Sequence, residues 1–491
     1  MKFLVTKNLV LKDYNKLKKL SRFYFSLKLY SWTLEIISTA AYLMYNFNIF
    51  YYDCDFETLL GEISKKIKMN KSNSMFSGVK NRVVFYDYFS NDNIVLTQQY
   101  LQGLMDNNYE ILYITLQEKS DKMAFIMEKL NKYGADIYFA KGKKKYTLCK
   151  EIIEKILEYG ASKILYQTVP WDSVGPVVLS FFDNSGIDRF LINLNDHAFW
   201  LGCKCADYIL EFRSYGVNIS IDNRNIDVDK LIVLPYYPIK RKEISFNGFP
   251  FDSDGKKIIV SGGTLYKIYG SDIFFSIVKY ILDKYQDTIF YYLGDGDTKP
   301  LQQFINSNNY SQRIFYERPR NDINEIIKRC YFYLGTYPIC GGLMTQIAVV
   351  NGKIPIAFTE KQYPMNNIDE LLINNEWKGF TFYSLEDLFK EIDELMTNEN
   401  YYNNRTNDLK NKIISVYEFS EVLYSAIENR KTNFNYKRYN IDIENFSELY
   451  FKQENNYLHN YLNIFFFTRN PLLPIIYPLY FVKKLICRSF P

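Results

Sequence analysis

The sequence predicts two successive α/β domains, each built on a mostly parallel, doubly wound sheet. At 491 residues the chain is too long for one ordinary hydrophobic core, and 47% of its residues are apolar, which is enough to form two cores. From residue 82 onward, short apolar runs alternate with stretches of helical period. The alternation breaks at the polar segment 239–255 and then restarts. Strands and helices that alternate with short connections favour parallel sheets.

In the first half, the apolar runs rich in Val, Ile, Tyr and Phe predict strands, and the periodic stretches between them predict helices. The predicted strands are residues 83–86, 111–115, 137–140, 164–167, 190–194, 208–212 and 231–234. The predicted helices include residues 95–107, 124–133 and 149–159, and Gly160 follows the last of them in a C-cap position.

The second half repeats this pattern more regularly. The predicted strands are residues 257–261, 288–293, 313–316, 331–335, 354–358 and 379–382. The predicted helices are residues 271–285, 300–306, 321–329, 385–396 and 402–416, together with one that follows a turn at 337–342 and runs to about residue 350.

These elements divide the chain into five parts. We predict a helical N-terminal extension at 1–78, a first domain at 79–238, a linker at 239–256, a second domain at 257–430 and a C-terminal tail at 431–491. In the tail, the apolar run 464–487 contains three prolines, Arg469, Lys483 and Lys484. Prolines interrupt a helix and buried charges are costly, so a full membrane crossing is unfavourable. Packing on the first domain and docking at a membrane surface both stay open.

Composition excludes several classes of protein. A net charge of +5 with only short basic runs argues against a nucleic-acid binder. Seven scattered cysteines without a framework spacing fit a reducing compartment, and two histidines in the chain make a zinc site improbable. The N-terminus has no apolar stretch typical of a secretion signal, which predicts a cytoplasmic protein.

Two glycine-containing turns follow predicted strands of the second domain, where open parallel sheets bind ligands. The first is Ser261-Gly262-Gly263-Thr264, with Lys267 close behind. Glycines allow the backbone to approach an anion, and Lys267 can add a positive charge. A simple tight turn between strand and helix is the alternative.

The second turn is the run Tyr-Pro-Ile-Cys-Gly-Gly-Leu-Met-Thr, in which Gly341 and Gly342 open a helix. A helix N-terminus offers unpaired N–H donors and a partial positive charge, which suit a diphosphate. Thr345 can donate its hydroxyl from the first turn of this helix. A plain turn without a ligand is again the alternative.

The run YLGTYPICGGLMTQIAVVNGKIPIAF resembles the segment of GT-B glycosyltransferases in which a Pro- and Gly-containing turn opens the helix that binds the diphosphate of a sugar nucleotide. IIVSGGTLYKIYGSDIF similarly resembles the first strand and glycine loop of their C-terminal domain. In the first domain, NLNDHAFW at 193–200 is similar to the histidine-bearing loop of the acceptor-side domain, and His-Ala-Phe-Trp resembles relatives of O-linked N-acetylglucosamine transferase. The resemblance covers about residues 82–430.

The resemblance implies two Rossmann-like domains that face a cleft, with the donor nucleotide sugar on the second. Many retaining members carry two glutamates eight residues apart around the helix-opening turn. Here Pro338 or Ile339 and Gln346 or Ile347 occupy those positions, so an inverting displacement is the better expectation. Gln346 can still hydrogen-bond a ribose hydroxyl. Arg318 and Arg320, in the run Glu-Arg-Pro-Arg after another strand, could also face the diphosphate, although surface ion pairing and helix capping are the commoner roles for such residues.

The implied activity is glycosyl transfer from a nucleoside diphosphate sugar to a glycan, lipid-linked or protein acceptor, in cell-surface polysaccharide or lipopolysaccharide biosynthesis. GT-B enzymes generally need no metal, and we expect none and no further cofactor. His197 is the candidate base, since an imidazole in water titrates at about 6.5, and Asp196 is the candidate orienter or alternative base. The alternatives are an inactive nucleotide-sugar binding protein and a related enzyme, such as a polyol-phosphate transferase or a sugar-nucleotide epimerase.

Overall fold

The chain folds, in a computed structural model, into two compact units. The first contains Met1–Leu234, Ser420–Arg438 and Tyr450–Pro491, and the second contains Pro235–Phe419 and Tyr439–Leu449. The structure describes residues 5–69, 78–92, 94–238, 244–373, 379–455, 458–465, 470 and 472–489. Each unit is built around its own parallel sheet.

The first unit contains a seven-stranded sheet. Its strands are β1 (Val79–Asp87), β2 (Glu110–Thr115), β3 (Asp136–Phe139), β4 (Ala161–Gln167), β5 (Asp188–Ile192), β6 (Tyr208–Glu211) and β7 (Leu231–Val233). They lie in the order β3-β2-β1-β4-β5-β6-β7, and every neighbouring pair is parallel. The strand order therefore reverses between β1 and β4.

In the part of Met1–Leu234 that the structure describes, this unit contains eight α-helices. They are α1 (Lys7–Ser26), α2 (Tyr30–Phe47), α3 (Cys54–Lys65), α4 (Val95–Asp106), α5 (Ala124–Tyr133), α6 (Lys145–Tyr159), α7 (Val174–Phe181) and α8 (Ser214–Arg224). Helix α2 buries Ile37 and Met44 in the same apolar core as Tyr166 of β4 and Val177 of α7. The helical N-terminal extension is thus part of the first unit's core.

The second unit contains a six-stranded parallel sheet. Its strands are β8 (Lys257–Gly262), β9 (Thr288–Leu293), β10 (Ile314–Glu317), β11 (Phe332–Leu334), β12 (Pro355–Phe358) and β13 (Thr381–Phe382). Their order is β10-β9-β8-β11-β12-β13, so the order reverses between β8 and β11. Relative to its own first strand, the second unit has the order 3-2-1-4-5-6 of a Rossmann sheet, and the first unit has the same order with a seventh strand added at the end. The prediction of two doubly wound α/β domains with helical extensions is confirmed.

The helices of the second unit begin and end close to their predicted positions, with one exception. They are α9 (Ile273–Lys284), α10 (Lys299–Ser307), α11 (Ile323–Arg329), α12 (Gly342–Val350), α13 (Leu385–Thr397) and α14 (Glu399–Asn407). The single helix predicted at 402–416 is wrong, because α14 ends at Asn407 and α15 (Val416–Glu428) begins a new helix. A capping box starts α15: the amide of Glu418 donates to Ser415 Oγ (3.2 Å), and the amide of Ser415 donates to Glu418 Oε2 (2.8 Å).

Helix α15 also crosses from one unit to the other, since the boundary lies between Phe419 and Ser420. Ser420 donates to Asp106 Oδ2 at 2.7 Å, and Tyr109 donates to Glu428 at 2.6 Å. Residues 420–430 therefore pack with the first unit, whereas the sequence-based division placed them in the second domain.

The polar segment predicted as a linker packs, in its described part from residue 244, against the second sheet. The ring of Phe251 lies 5.3 Å from that of Tyr291 and 4.6 Å from that of Phe315. Phe249 stacks on Phe251 at 5.1 Å. The aromatic side chains of this segment therefore cover apolar surface of the second unit. The boundary between the units lies before the predicted linker, between Leu234 and Pro235.

The C-terminal tail forms α16 (Ile443–Asn455), α17 (Leu458–Ile464), α18 (Leu473–Ile476) and α19 (Pro478–Ser489). Tyr461 and Tyr480 both donate to the buried carboxylate of Asp13 on α1, at 2.5 and 2.6 Å. The tail thus packs on the N-terminal extension. Residues 466–469 and 471 of the apolar run 464–487 lie outside the described part. Among the helices that the structure describes, none has both the length and the apolar character needed to cross a membrane.

Candidate functional site

The two glycine turns of the second unit follow the two strands that flank its switch point. β8 and β11 are neighbours, with Val260 paired to Tyr333. Gly262 ends β8, and Gly341 and Gly342 follow β11 at the start of α12. Both turns therefore lie at the carboxyl edge of the sheet where its strand order reverses, which is the place where open α/β sheets bind ligands.

The first turn requires glycine for steric reasons. A Cβ atom on Gly262 would lie 2.8 Å from the carbonyl oxygen of Leu293 on β9. Gly263 has φ +136°, which L-residues with side chains rarely adopt, and its amide donates to Leu293 O at 2.9 Å. The side chain of Thr264, the next residue, is exposed. The turn is held close to β9 and presents Thr264 to solvent.

Lys267 connects the first turn to the second. Its Nζ donates to the carbonyl oxygen of Cys340 at 3.0 Å, and its Cδ lies 3.4 Å from the Cβ position of Gly263. The Cβ position of Gly341 is 3.2 Å from the carbonyl oxygen of Gly262. Sequence positions that are almost eighty residues apart thus meet around one lysine.

Helix α12 begins at this meeting point without a side-chain cap. Its first i→i−4 hydrogen bond is donated by the amide of Thr345 to Gly341 O at 3.1 Å, so the amides of residues 342–344 precede the helical hydrogen-bond ladder. A Cβ atom on Gly342 would lie 2.6 Å from the hydroxyl oxygen of Tyr236 and 3.1 Å from Leu371. Close packing therefore requires glycine at both positions, at the end of α12 where the helix dipole is positive.

Thr345 and Gln346 have different surroundings from the predicted ones. Thr345 is fully buried, and its hydroxyl lies 3.4 Å from Gly341 O, to which it donates. The amide nitrogen of Gln346 donates to Tyr236 O (2.8 Å) and Leu371 O (3.1 Å), while its buried Oε1 has no hydrogen-bond partner among the described residues. Both side chains brace α12 against the loops beside it. Oε1 of Gln346 keeps acceptor capacity.

The two arginines after β10 differ in their environment. Arg320 forms ion pairs with Asp322 at 2.6 Å and with Glu317 at 3.0 Å, which is the structural role that such arginines commonly have. Arg318 has an exposed side chain. Its strand, β10, forms the edge of the sheet and is separated from β8 by β9. Arg318 follows this edge strand, and its role as a donor-site residue stays a prediction.

His197 and Asp196 lie in the first unit, in the loop after β5. Asp196 is buried and accepts from Arg213 Nε at 2.5 Å, while His197 Nδ1 lies 3.3 Å from the other oxygen of the same carboxylate. Burial would raise the pKa of Asp196, but the Arg213 guanidinium and the contact with His197 outweigh it and hold this pKa below its usual range. Asp196 is therefore an ionised, poorly basic carboxylate, suited to orient His197 and unsuited to act as the base.

Two residues outside the predicted site hold this loop in place. The side chain of Asn48, which ends α2, donates through Nδ2 to His197 O (2.8 Å) and accepts from the amide of Phe199 through Oδ1 (2.9 Å). The buried guanidinium of Arg224 donates to the carbonyl oxygens of Asp196 (3.0 Å) and Ala198 (2.7 Å). The pattern of the sequence gives no indication of either contact, because Asn48 is 149 residues from His197.

A second polar cluster lies at the switch point of the first unit, and sequence reasoning missed it. Asp87, at the end of β1, accepts from Tyr113 at 2.7 Å and pairs in register with Gln167 of β4. Burial raises the pKa of Asp87 to about 6, against the hydrogen bonds that favour its ionised form. The side-chain amides of Gln167 and Gln99 are buried without hydrogen-bond partners among the described residues. The sequence does carry one indication of this cluster, because Asp87 stands at the end of the first strand of a Rossmann-like unit.

Among the described residues, no group of three or more His, Cys, Asp or Glu side chains is arranged to hold a metal ion. The candidate groups are backbone amides, one lysine and glycine turns within the second unit and, separately, a histidine loop within the first.

Neither a protein-family model nor a curated protein sequence matches this chain at a significant level. Solved structures do match its fold. HepE from Anabaena, in complex with UDP-glucose, is 12% identical with a TM-score of 0.50, and the match covers 71% of this chain and 99% of HepE. A glycosyltransferase from Rickettsia africae is 12% identical with a TM-score of 0.53, covering 71% of this chain and 99% of its own. A putative UDP-N-acetylglucosamine 2-epimerase from Listeria monocytogenes is 12% identical with a TM-score of 0.48, covering 72% and 97%.

At this level of identity the similarity concerns the fold. The first two of these structures match 71% of the chain over 99% of their own length, and the chain itself contains two Rossmann-like units. The chain has the GT-B fold.

Proposed function

We propose that the protein is a glycosyltransferase that takes a sugar from a nucleoside diphosphate donor and transfers it to a hydroxyl group of an acceptor. The observation that carries the proposal is the meeting of the Gly262-Gly263 turn, the N-terminus of α12 and Lys267 at the switch point of the second unit. A diphosphate needs several N–H donors and a positive charge close together, and this arrangement supplies both.

In this proposal the amides of residues 342–344 hydrogen-bond the diphosphate, and Lys267 exchanges its bond to Cys340 O for a phosphate oxygen. As the bond between sugar and diphosphate breaks, negative charge grows on the leaving group. Fixed amides, the helix dipole and a lysine stabilise that charge without having to reorganise. Thr264, exposed beside the same turn, is the further donor-side contact.

His197 is the proposed base that takes the acceptor proton. Its ring is held by the ionised carboxylate of Asp196, which in turn is fixed by Arg213. A carboxylate on one ring nitrogen favours the tautomer with its proton there and leaves the other nitrogen as the basic one. The loop also carries two backbone contacts to Asn48, which limit its movement.

We propose an inverting displacement. Pro338, Ile339, Gln346 and Ile347 provide no carboxylate in the turn and first turns of α12. The side-chain nitrogen of Gln346 donates to two backbone carbonyls, which braces the helix. Its Oε1 is the proposed acceptor for a ribose hydroxyl of the sugar nucleotide.

The proposed acceptors are a glycan, a lipid-linked saccharide or a protein, in the synthesis of cell-surface polysaccharide or lipopolysaccharide, with the enzyme in the cytoplasm or at the inner face of the membrane. Two alternatives make different predictions. An inactive binding protein would bind the donor without turnover. A sugar-nucleotide epimerase or polyol-phosphate transferase would consume its substrate without forming a glycosidic bond.

The test is a thermal-shift screen of nucleoside diphosphates and their sugars, followed by turnover assays with and without acceptors. UDP-glucose is the first probe, because HepE is described in complex with it. Binding stabilises the folded state by mass action, so a donor at a hundred times its dissociation constant raises the free energy of unfolding by about 2.7 kcal/mol. The proposal fails if no nucleoside diphosphate stabilises the protein, or if a bound donor is epimerised and no acceptor is glycosylated.

A further inference from the structure

The C-terminal helices carry an apolar face that points to solvent. Ile475 of α18 and Leu479 of α19 are each 71% exposed, and Val482 is 52% exposed. Tyr477 and Tyr480, between them in sequence, are buried against Asp13. The segment is therefore amphipathic with its aromatic face already packed, and its aliphatic face is left to water.

Helix α1 continues this surface. Its exposed residues at helical spacing are Lys12, Lys16, Lys19 and Phe23, and Leu27 follows at its C-cap. Lys16 Nζ lies 5.2 Å from the centroid of the Tyr477 ring, which places this stripe directly beside α18 and α19. Phe23 and Leu27 are both 52% exposed. We name these residues together with Ile475, Leu479 and Val482 the basic apolar face.

The charge on this face has one sign. Among the side chains that the structure describes on α1, α18 and α19, the one carboxylate is that of Asp13, which is buried, accepts from two tyrosines and pairs with Lys16 at 3.5 Å. Lys18 and Arg22 lie on a neighbouring stripe, where Asp53 and Asp55 pair with them. Lys12 and Lys19 therefore present positive charge beside exposed aliphatic groups, and Lys16 contributes less because Asp13 pairs with it.

We propose that the basic apolar face docks the protein onto the surface of an anionic lipid bilayer. Aliphatic side chains enter the boundary between headgroups and acyl chains, while lysines on the flanking helix contact acidic headgroups. A second copy of the chain is a poorer occupant, because the same lysines on both copies would repel each other. The inference assigns a specific surface to the membrane location named above, and it does not depend on the glycosyltransferase activity.

The experiment is co-sedimentation of the full chain with vesicles of phosphatidylcholine alone and of phosphatidylcholine with about a third phosphatidylglycerol, at low and high salt. Leu479→Asp places a charge in the apolar part of the face. Tyr417→Asp is its matched control, because Tyr417 of α15 is also 71% exposed and lies outside the face. Lys19→Gln removes one exposed charge of the face. Circular dichroism and sedimentation velocity establish the folding and the oligomeric state of each variant.

We expect wild type and Tyr417→Asp to bind the anionic vesicles equally, and to bind less at high salt and to neutral vesicles. Lys19→Gln should weaken binding about fivefold, and Leu479→Asp at least tenfold. Equal binding of Leu479→Asp and Tyr417→Asp, or a wild-type chain that stays in the supernatant, would overturn the proposal. So would a wild-type dimer that Leu479→Asp converts to a monomer, since a second copy would then cover the face.

Discussion

The side-chain amide of Asn48 hydrogen-bonds the backbone of His197 and of Phe199, the two residues that flank Ala198. Nδ2 donates to His197 O at 2.8 Å, and Oδ1 accepts from the amide of Phe199 at 2.9 Å. Asn48 is itself in the left-handed conformation that ends α2, with φ 43°. The N-terminal extension thus contacts the candidate catalytic loop directly, and its proposed role is to position that loop.

Replacing Asn48 by glycine should impair transfer without impairing donor binding. Glycine keeps the left-handed backbone and removes both hydrogen bonds, so the free energy of unfolding should fall by about 1–3 kcal/mol. We expect a lower rate of transfer at saturating donor and an unchanged donor dissociation constant. Asn46→Ala is the control, because Asn46 bonds to Tyr42 O within its own helix. A wild-type rate in folded Asn48→Gly would remove Asn48 from the positioning role.

Gly342→Ala should weaken donor binding, because its Cβ would enter the space beside the first amides of α12. The new atom would also lie 2.6 Å from the Tyr236 hydroxyl, so that loss of binding has two explanations. The double variant Gly342→Ala with Tyr236→Phe relieves that clash. We expect calorimetric titration with the nucleoside diphosphate to show weak binding in both variants, while Gly61→Ala, with open space around its Cβ position, binds as wild type. Restored affinity in the double variant would mean that Gly342 serves packing alone.

Lys267→Ala should weaken the binding of nucleoside diphosphates by about 1–3 kcal/mol, the usual range for a hydrogen bond to a charged group. The matching nucleoside, which has no phosphate, should bind equally to variant and wild type. Lys390→Ala is the control, since Lys390 is exposed on α13 and pairs with Glu386. An equal loss for nucleoside and diphosphate would point to a disturbed turn, since Lys267 also bonds to Cys340 O.

The fold could be predicted because its information is local. The strand 288–293 and the helix 124–133 were predicted with their observed limits, since apolar runs and period are properties of short segments. The break between α14 and α15 was also readable, because Ser415 and Glu418 have the spacing of a capping box. Apolar period alone continues through this break and predicts one helix, whereas the capping box marks the start of a second.

The site could be predicted only where a turn carries its own chemistry. Gly262, Gly341 and Lys267 were predicted from the positions of turns after strands, and the structure brings them together. Arg213 and Asn48 were missed because their contacts to the His197 loop come from distant segments. The pattern of a single sequence carries no information on contacts between residues that are far apart in the chain. The burial of Thr345 could not be predicted for the same reason, because it depends on how α12 packs.

The buried carboxyl group of Asp87 should make stability depend on pH in a direction opposite to most carboxylates. Its pKa is raised to about 6 by burial, so the folded state holds this proton more tightly than the unfolded state does. The contribution of Asp87 to folding is therefore complete below about pH 4 and is lost as pH rises through 6, by roughly 3 kcal/mol. Urea unfolding of wild type and Asp87→Asn from pH 4.5 to 8 measures it. The difference in the free energy of unfolding between the two proteins should change by a few kcal/mol between pH 4.5 and pH 8. A difference that stays constant over this range would contradict the raised pKa of Asp87.

His197→Ala should abolish most transfer while donor binding is kept. Loss of a general base costs about a hundredfold or more in rate, and the donor turns lie in the other unit. His459→Ala, at the chain's other histidine, is the matched control and should transfer at the wild-type rate.

Asp196→Asn separates the base from its orienter. The asparagine leaves the buried guanidinium of Arg213 without its charged partner, so we expect a loss of stability of about 3–5 kcal/mol together with slower transfer. The pH–rate profile distinguishes the roles. If His197 is the base, the acidic limb of kcat/KM in wild type disappears in His197→Ala and shifts in Asp196→Asn, because the ring loses the carboxylate that favours its protonated form. A His197→Ala enzyme that transfers at nearly the wild-type rate with an unchanged acidic limb would assign the proton to another group. The low pKa of Asp196 argues that this group would not be its neighbour.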